Sequence, residues 1–217
     1  LTFMPVIGLL LYILFGMDNR HRRQIKDDDL SRLKGITEIT QSDDILSEMP
    51  VPQKPLADML RKMNKSFLLS GNDVEIITDF QTMSDRLIAD IEGARHHINM
   101  LFFKFENDAA GRRIADALIR KSEEGVLVRL IYDDAGNLMV PRRFYRKLRK
   151  HGIQVRGFIR IFLPILSRDY NSRNHRKVVV IDGRVGYMGG MNIAQRYAEG
   201  LKWGIWRDTH MRITGPA

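Results

Sequence analysis

The pattern of apolar and polar residues divides the chain into three textures. From Leu1 to Met17 nearly every residue is apolar and none is charged. A membrane-spanning helix needs about 20 such residues, with a lower range near 17, so this stretch predicts a spanning helix, truncated if the chain begins inside it. Pro5 and Gly8 are tolerated in such helices. Arg20, His21, Arg22, Arg23 and Lys26 follow at once, and the positive-inside rule puts that side in the cytoplasm. A secretory signal would carry its basic residues before the apolar run and small residues at a cleavage site. A buried core helix would rarely be uncharged all round. Residues 18–55 are polar and mixed in charge, with Asp27-Asp28-Asp29, Asp43-Asp44 and three prolines at Pro50, Pro52 and Pro55. They read as a juxtamembrane linker, leaving 56–217 as the folded domain.

From Asn72 onward the periodicity alternates between two and near four. Val74 to Thr78 predicts a strand. Ser84 to His97 predicts a helix with Leu87, Ile88, Ile91 and Ala94 on its apolar stripe. Ile98 to Phe103 is a second strand, and Ala110 to Glu124 a helix stopped by Gly125. Val126 to Tyr132 is the third strand. Pro141 to Lys150 is a basic helix closed by Gly152, and Ile153 to Ile159 the fourth strand. A loop, Arg160 to Asn174, leads into a β-branched strand from Lys177 to Asp182. Asp182-Gly183 is a hairpin signal and sends the chain back along Val185 to Met188. Asn192 to Ala198 reads as a helix start and Thr209 to Thr214 as a last strand. This alternation predicts an α/β domain, its sheet largely parallel and covered on both faces. Ligands of such sheets sit beyond the strand ends.

Composition narrows the partners. A net charge of +9 over 217 residues points to anionic ones, nucleic acid or an anionic membrane surface. The absence of Cys excludes a disulfide framework and thiolate metal sites. His96 and His97 are adjacent rather than one helical turn apart, so no metal site or cofactor is expected. The helix carrying Arg142, Arg143, Arg146, Lys147, Arg149 and Lys150 reads as a solvated basic face or a membrane-facing patch. The chain starts at Leu1 and stops at Gly215-Pro216-Ala217, directly after a strand-like segment, and is expected to be a fragment.

The chemistry concentrates in Asn174-His-Arg-Lys-Val-Val-Val-Ile-Asp182, followed by Gly189-Gly190-Met191-Asn192. Side chains alternate along a strand, so His175 and Lys177 share a face. An imidazole beside an ammonium is a grip for a phosphate. A phosphodiester repels nucleophiles by its charge, so a site needs cationic and amide donors and a nucleophile that is not a strong base. Neutral imidazole meets that need. The Gly189-Gly190 pair is expected to bring backbone close to the phosphate, and Asn192 to supply a neutral N–H.

This His-x-Lys-x4-Asp element with its Gly-Gly-x-Asn sequel resembles the phospholipase D superfamily. The apolar Leu-Tyr-Ile-Leu-Phe-Gly ending at Gly16, Asn171-Ser-Arg-Asn-His-Arg-Lys177, Trp206-Arg-Asp-Thr-His210 and Arg212-Ile-Thr-Gly215 extend the likeness to bacterial cardiolipin synthases of the phospholipase D type. The resemblance implies one half of a two-repeat α/β/α sandwich preceded by a transmembrane helix. It implies phosphatidyl transfer between two phosphatidylglycerol molecules, giving cardiolipin and glycerol through a phosphohistidine. It also implies a second His-x-Lys-x4-Asp half, in the intact chain or by dimerisation, with anionic lipids as partners and no nucleic acid. A single-motif phosphodiesterase or nuclease acting as a dimer is the alternative. On this reading His175 is the nucleophile, Lys177, Asn192 and Gly190 bind the phosphoryl group, and Asp208 orients the imidazole. Asp208 could instead pair with Arg207 or Arg212. Asp182 belongs to the catalytic signature, yet its odd spacing from His175 turns it to the other face, where it reads as a structural pin for the turn. Phe103-Lys104-Phe105-Glu106-Asn107 departs from the family, which more often has acidic residues after an aromatic-rich strand end.

Overall fold

A computed structural model describes residues 6, 8–9, 50–64, 69–158, 173–200, 202 and 204–215. The predicted membrane segment 1–17 and the linker to residue 49 therefore lie outside the described residues, except for Val6, Gly8 and Leu9, which are helical. Among the described residues no helix is long and apolar enough to cross a membrane.

Helix α1 (Lys54–Asn64) precedes β1 (Asp73–Ile77), α2 (Phe80–Gly93), β2 (His97–Phe102), α3 (Ala109–Glu123), β3 (Leu127–Asp133), α4 (Arg142–Lys150) and β4 (Gln154–Phe158). Then come β5 (Val178–Ile181), β6 (Val185–Gly189), a short 3-10 turn (Gln195–Tyr197) and β7 (His210–Thr214). Helix α2 starts four residues before the apolar stripe suggests, because Asp79 caps it, accepting from the Thr82 amide at 2.8 Å. Its early end has a distant cause. The amides of Arg95, His96 and His97 donate to the Asp182 carboxylate at 2.7–2.9 Å, which turns this backbone from helix into β2.

The seven strands lie in the order β1-β7-β6-β5-β2-β3-β4. Only β2, β3 and β4 are parallel; β5, β6, β7 and β1 pair antiparallel. The expected largely parallel sheet is thus corrected to a mixed one. Helices α3 and α4 serve as crossovers for β2–β3 and β3–β4, whereas a tight turn joins β5 to β6 and a longer connection with the 3-10 turn joins β6 to β7. Asp182 and Gly183 both take positive φ, 52° and 65°, the pairing that a tight hairpin requires. Positive φ is costly for a residue with a side chain, and the three amide bonds at Asp182 hold it there.

One face of the sheet carries the core. Ile98, Met100 and Phe102, then Val128, Leu130 and Tyr132, then Val179 and Ile181 are buried under Leu87, Ile91, Ile114, Leu118 and Leu148 of the helices. The alternate positions Val74, Ile76, Leu127, Ile131, Met188 and Phe158 are exposed. Cover on both faces is therefore not what the described residues provide.

Asp182 supports a stability prediction. Burial works to raise its pKa, but the three amides outweigh it and hold the carboxyl below its ordinary 3.8. A group depressed on folding contributes stability above its unfolded value and loses it as pH falls through the folded one. Asp182→Ala is expected to cost about 2 kcal/mol at pH 7. That is less than the sum of three charged bonds, since two of the amides face solvent. Urea unfolding at pH 7 and pH 3 should show the gap to wild type narrowing in acid; a gap that widens would refute the assignment.

Candidate active site

The site forms where β2 and β3 end and the chain approaches β5. Asp133, the last residue of β3, is fully buried. Its Oδ1 accepts from the amides of Ala135 and Gly136 at 2.9 and 3.1 Å, and its Oδ2 from the Asn174 amide at 3.0 Å. One carboxylate therefore fastens the loop after β3 to the backbone that presents His175. Residues 173–177 are irregular rather than strand, so the shared face of His175 and Lys177 comes from this tether and from packing.

His175 is exposed, its ring tilted against Phe103 with centroids 4.5 Å apart. Lys177 is only 2% exposed. Its ammonium donates to the His175 carbonyl at 2.7 Å, lies 3.0 Å from Nδ1 and 3.4 Å from Nε2 of the same residue, and stands 5.6 Å over the Phe103 ring. Burial lowers the His175 pKa below 6.5, Lys177 lowers it further, and Asp133 and Asp208 oppose. Burial also lowers the Lys177 pKa, against the pull of Asp208. At neutral pH the result is a neutral imidazole beside a largely desolvated ammonium, a nucleophile paired with a charge for phosphoryl oxygens.

The glycine pair has a different purpose from the one expected. A Cβ on Gly190 would lie 1.9 Å from Asp208 Oδ1, and one on Gly189 would lie 2.5 Å from the His210 Cα and 2.7 Å from its Nδ1. The glycines make room for Asp208 and His210. The Gly190 amide is taken by the Thr209 carbonyl at 2.9 Å, so Gly190 leaves the phosphate-binding set. Gly190→Ala should push the Asp208 carboxylate away from His175 and lower activity about 100-fold while Tm drops by a few degrees. Activity at the wild-type level would show that Asp208 is not needed where it stands.

Asn192 is buried, with Oδ1 accepting from the Lys104 amide at 3.0 Å and Nδ2 donating to Tyr197 Oη at 3.1 Å. This fixes the orientation of its amide. Among the described residues Tyr197 takes one of the two N–H groups, and the second remains for a ligand. Asp182 must be moved out of the catalytic set. It sits at the far end of β5 from Lys177, its carboxylate occupied by the three amides that start β2. Arg212 does not compete for Asp208, because it makes a bidentate pair with Asp90 at 2.7 and 2.8 Å, and Tyr187 also donates to Asp90.

Two residues near the site escape sequence reasoning. Asp133 reads as an ordinary strand end, and nothing local tells that it reaches Asn174, 41 residues on. His210 is 1% exposed, and among the described residues neither ring nitrogen has a hydrogen-bond partner. Its spacing from Asp208 equals that of His175 from Lys177, the one signal available. Among the described residues no cluster of His, Asp or Glu could hold a metal ion.

A His-x-Lys-x4-Asp element entering a mixed α/β sheet, with a buried ammonium against an exposed imidazole, defines a phospholipase D-like domain. More particularly, residues 87–201 match the family described as cardiolipin synthase, PLD-like domain, and the chain belongs to that family. The major cardiolipin synthase ClsA of Bacillus subtilis is 36% identical over 228 residues, covering 100% of this chain and 47% of that protein. A cardiolipin synthase of Staphylococcus aureus is 36% identical over 231 residues, covering 100% and 46%. The chain thus spans about half the length of the curated relatives it matches. Among solved structures, the phospholipase D family member Nuc of Salmonella typhimurium superposes with a TM-score of 0.50 at 19% identity, over 67% of this chain and 85% of that one. The phosphatidylserine synthase of Haemophilus influenzae gives 0.52 at 19% identity, over 66% and 33%. These two likenesses establish the fold alone.

Proposed function

We propose that this chain is the nucleophilic half of a cardiolipin synthase that transfers a phosphatidyl group between two phosphatidylglycerol molecules. The observation that carries the reading is the exposed His175 imidazole held against a Lys177 ammonium that is 2% exposed. The 36% identity to cardiolipin synthases across the whole chain supports it.

In the first step a ring nitrogen of His175 attacks phosphorus of the donor lipid. The phosphorus–oxygen bond to the head-group glycerol breaks as the nitrogen–phosphorus bond forms. Lys177 and the second N–H of Asn192 face the phosphoryl oxygens, and Asp208 stabilises the imidazole as it gains charge. The proton for the leaving glycerol comes from a second His-x-Lys-x4-Asp half. In the second step a hydroxyl of another phosphatidylglycerol attacks phosphorus, giving its proton back to that second half, and the nitrogen–phosphorus bond breaks to free His175. Residues 1–17 anchor the enzyme in the membrane, 18–55 link, and 56–217 work on the cytoplasmic side.

Thin-layer analysis of products from phosphatidylglycerol as sole donor, beside a DNA-degradation assay, tests the reading in the full-length protein. Cardiolipin with an equal amount of glycerol is expected; DNA cleavage without cardiolipin would overturn it. The charges around His175 also set a pH signature. The acid limb of kcat/KM should lie below 6.5, because the imidazole must be neutral and its pKa is lowered. Asp208→Asn removes a charge that raises that pKa, so its acid limb should move lower still. A limb that moves up would place Asp208 outside the reach of His175.

A further inference from the structure

On the covered face of the sheet, Gly189 pairs with His210. The pairing of Val178 with Met188, carried one residue further, sets Lys177 beside Gly189. Lys177 and His210 therefore flank one glycine, with no side chain between them. The Lys177 charge acts on the His210 ring, and so does that of Asp208. His210 is almost wholly buried, and among the described residues neither of its nitrogens has a hydrogen-bond partner. A buried imidazole without partners is costly. It packs toward Tyr187, with ring centroids 6.5 Å apart, a place that an apolar residue could fill.

We propose that His210 is a positioning residue for the phosphoryl site, receiving the Lys177 ammonium through one ring nitrogen and donating from the other to Asp208 when substrate binds. In the free protein Lys177 points its ammonium at the His175 ring, where it covers the lone pair needed for attack. Moving that ammonium across the Gly189 gap onto His210 clears the nucleophile and aims the charge at the phosphoryl oxygens. Only a neutral imidazole can accept from an ammonium. Burial, reinforced by Lys177 and opposed by Asp208, keeps His210 neutral by pushing its pKa down to about 4. The two glycines then have a joint purpose, since each removes a Cβ that would displace His210 or Asp208.

The inference rests on the phosphohistidine reading above, and the test separates the two. In the full-length protein, His210→Phe and His210→Leu fill the site but cannot hydrogen-bond, while His210→Gln keeps a donor and an acceptor. The Phe and Leu variants should lose about 100-fold in kcat with KM within about twofold, and trap the His175-bound phosphatidyl group correspondingly more slowly. The Gln variant should recover to within about tenfold of wild type. Equal kcat in all four proteins, or equal loss in Gln and Phe, would overturn the proposal. So would loss of the folded melting transition in both apolar variants, which would make His210 structural. If the wild type itself forms no His-bound phosphatidyl, the phosphohistidine reading falls and takes this one with it. If it forms and the apolar variants form it equally fast, only the role of His210 falls.

Discussion

His175→Ala is expected to abolish cardiolipin formation, lowering kcat by at least about 10⁴-fold while leaving the fold intact. The size follows from the role. Without the imidazole a lipid hydroxyl must displace glycerol directly from an anionic phosphodiester, and the lowered barrier of the two-step route is lost. The fold should tolerate the change because the ring is exposed. Only its tilted contact with Phe103 and its bonds to Lys177 disappear. Radiolabelled phosphatidylglycerol, denatured rapidly after mixing, should leave an acid-labile label on wild type and none on the variant. Label retained on the variant would sink the nucleophile assignment.

Lys177→Met is expected to lower kcat about 10²–10³-fold, the usual cost of losing a preorganised charge at a developing anion, while Tm stays level or rises. Most core substitutions lower stability; this one should not. Lys177 is 2% exposed, and among the described residues no carboxylate lies within ion-pair distance of its ammonium. Met fills a similar volume without that desolvation cost, and each kcal/mol recovered would raise Tm by about 2–4 °C in a chain of this size. Loss of activity with unchanged or raised Tm in a calorimetric scan would mark Lys177 as held in the core for function. A fall of 5 °C or more would show that its bond to the His175 carbonyl is structural instead.

The folded domain was largely legible in the residues. Runs such as Val178-Val-Val-Ile181 and Ile98 to Phe102 alternate burial as strands do, and the stripe Leu87–Ile91 lies in the core. Glycine and proline marked most ends. The start of α2 was set by its Asp79 cap, but its end, and the start of β2, rest on a carboxylate about 86 residues away. No local periodicity carries such a signal.

The sequence by itself determined the chemistry available: one imidazole and one ammonium two residues apart, a glycine pair, an asparagine and a later Asp-x-His, in the order that marks a phospholipase D-like domain. Residue type and spacing suffice for that, because the order of these groups is set within the chain. Only the tertiary structure decided how those groups are used. It put Asp182 on the amides that open β2, gave the glycine pair to Asp208 and His210, tied Asn174 to Asp133 and left Lys177 buried beside His175. It also made the sheet mixed, by bringing β5 in antiparallel to β2. Each of these depends on which strand lies beside which. That choice is made by the burial of one whole face against α2, α3 and α4, and a stretch of ten residues does not contain it.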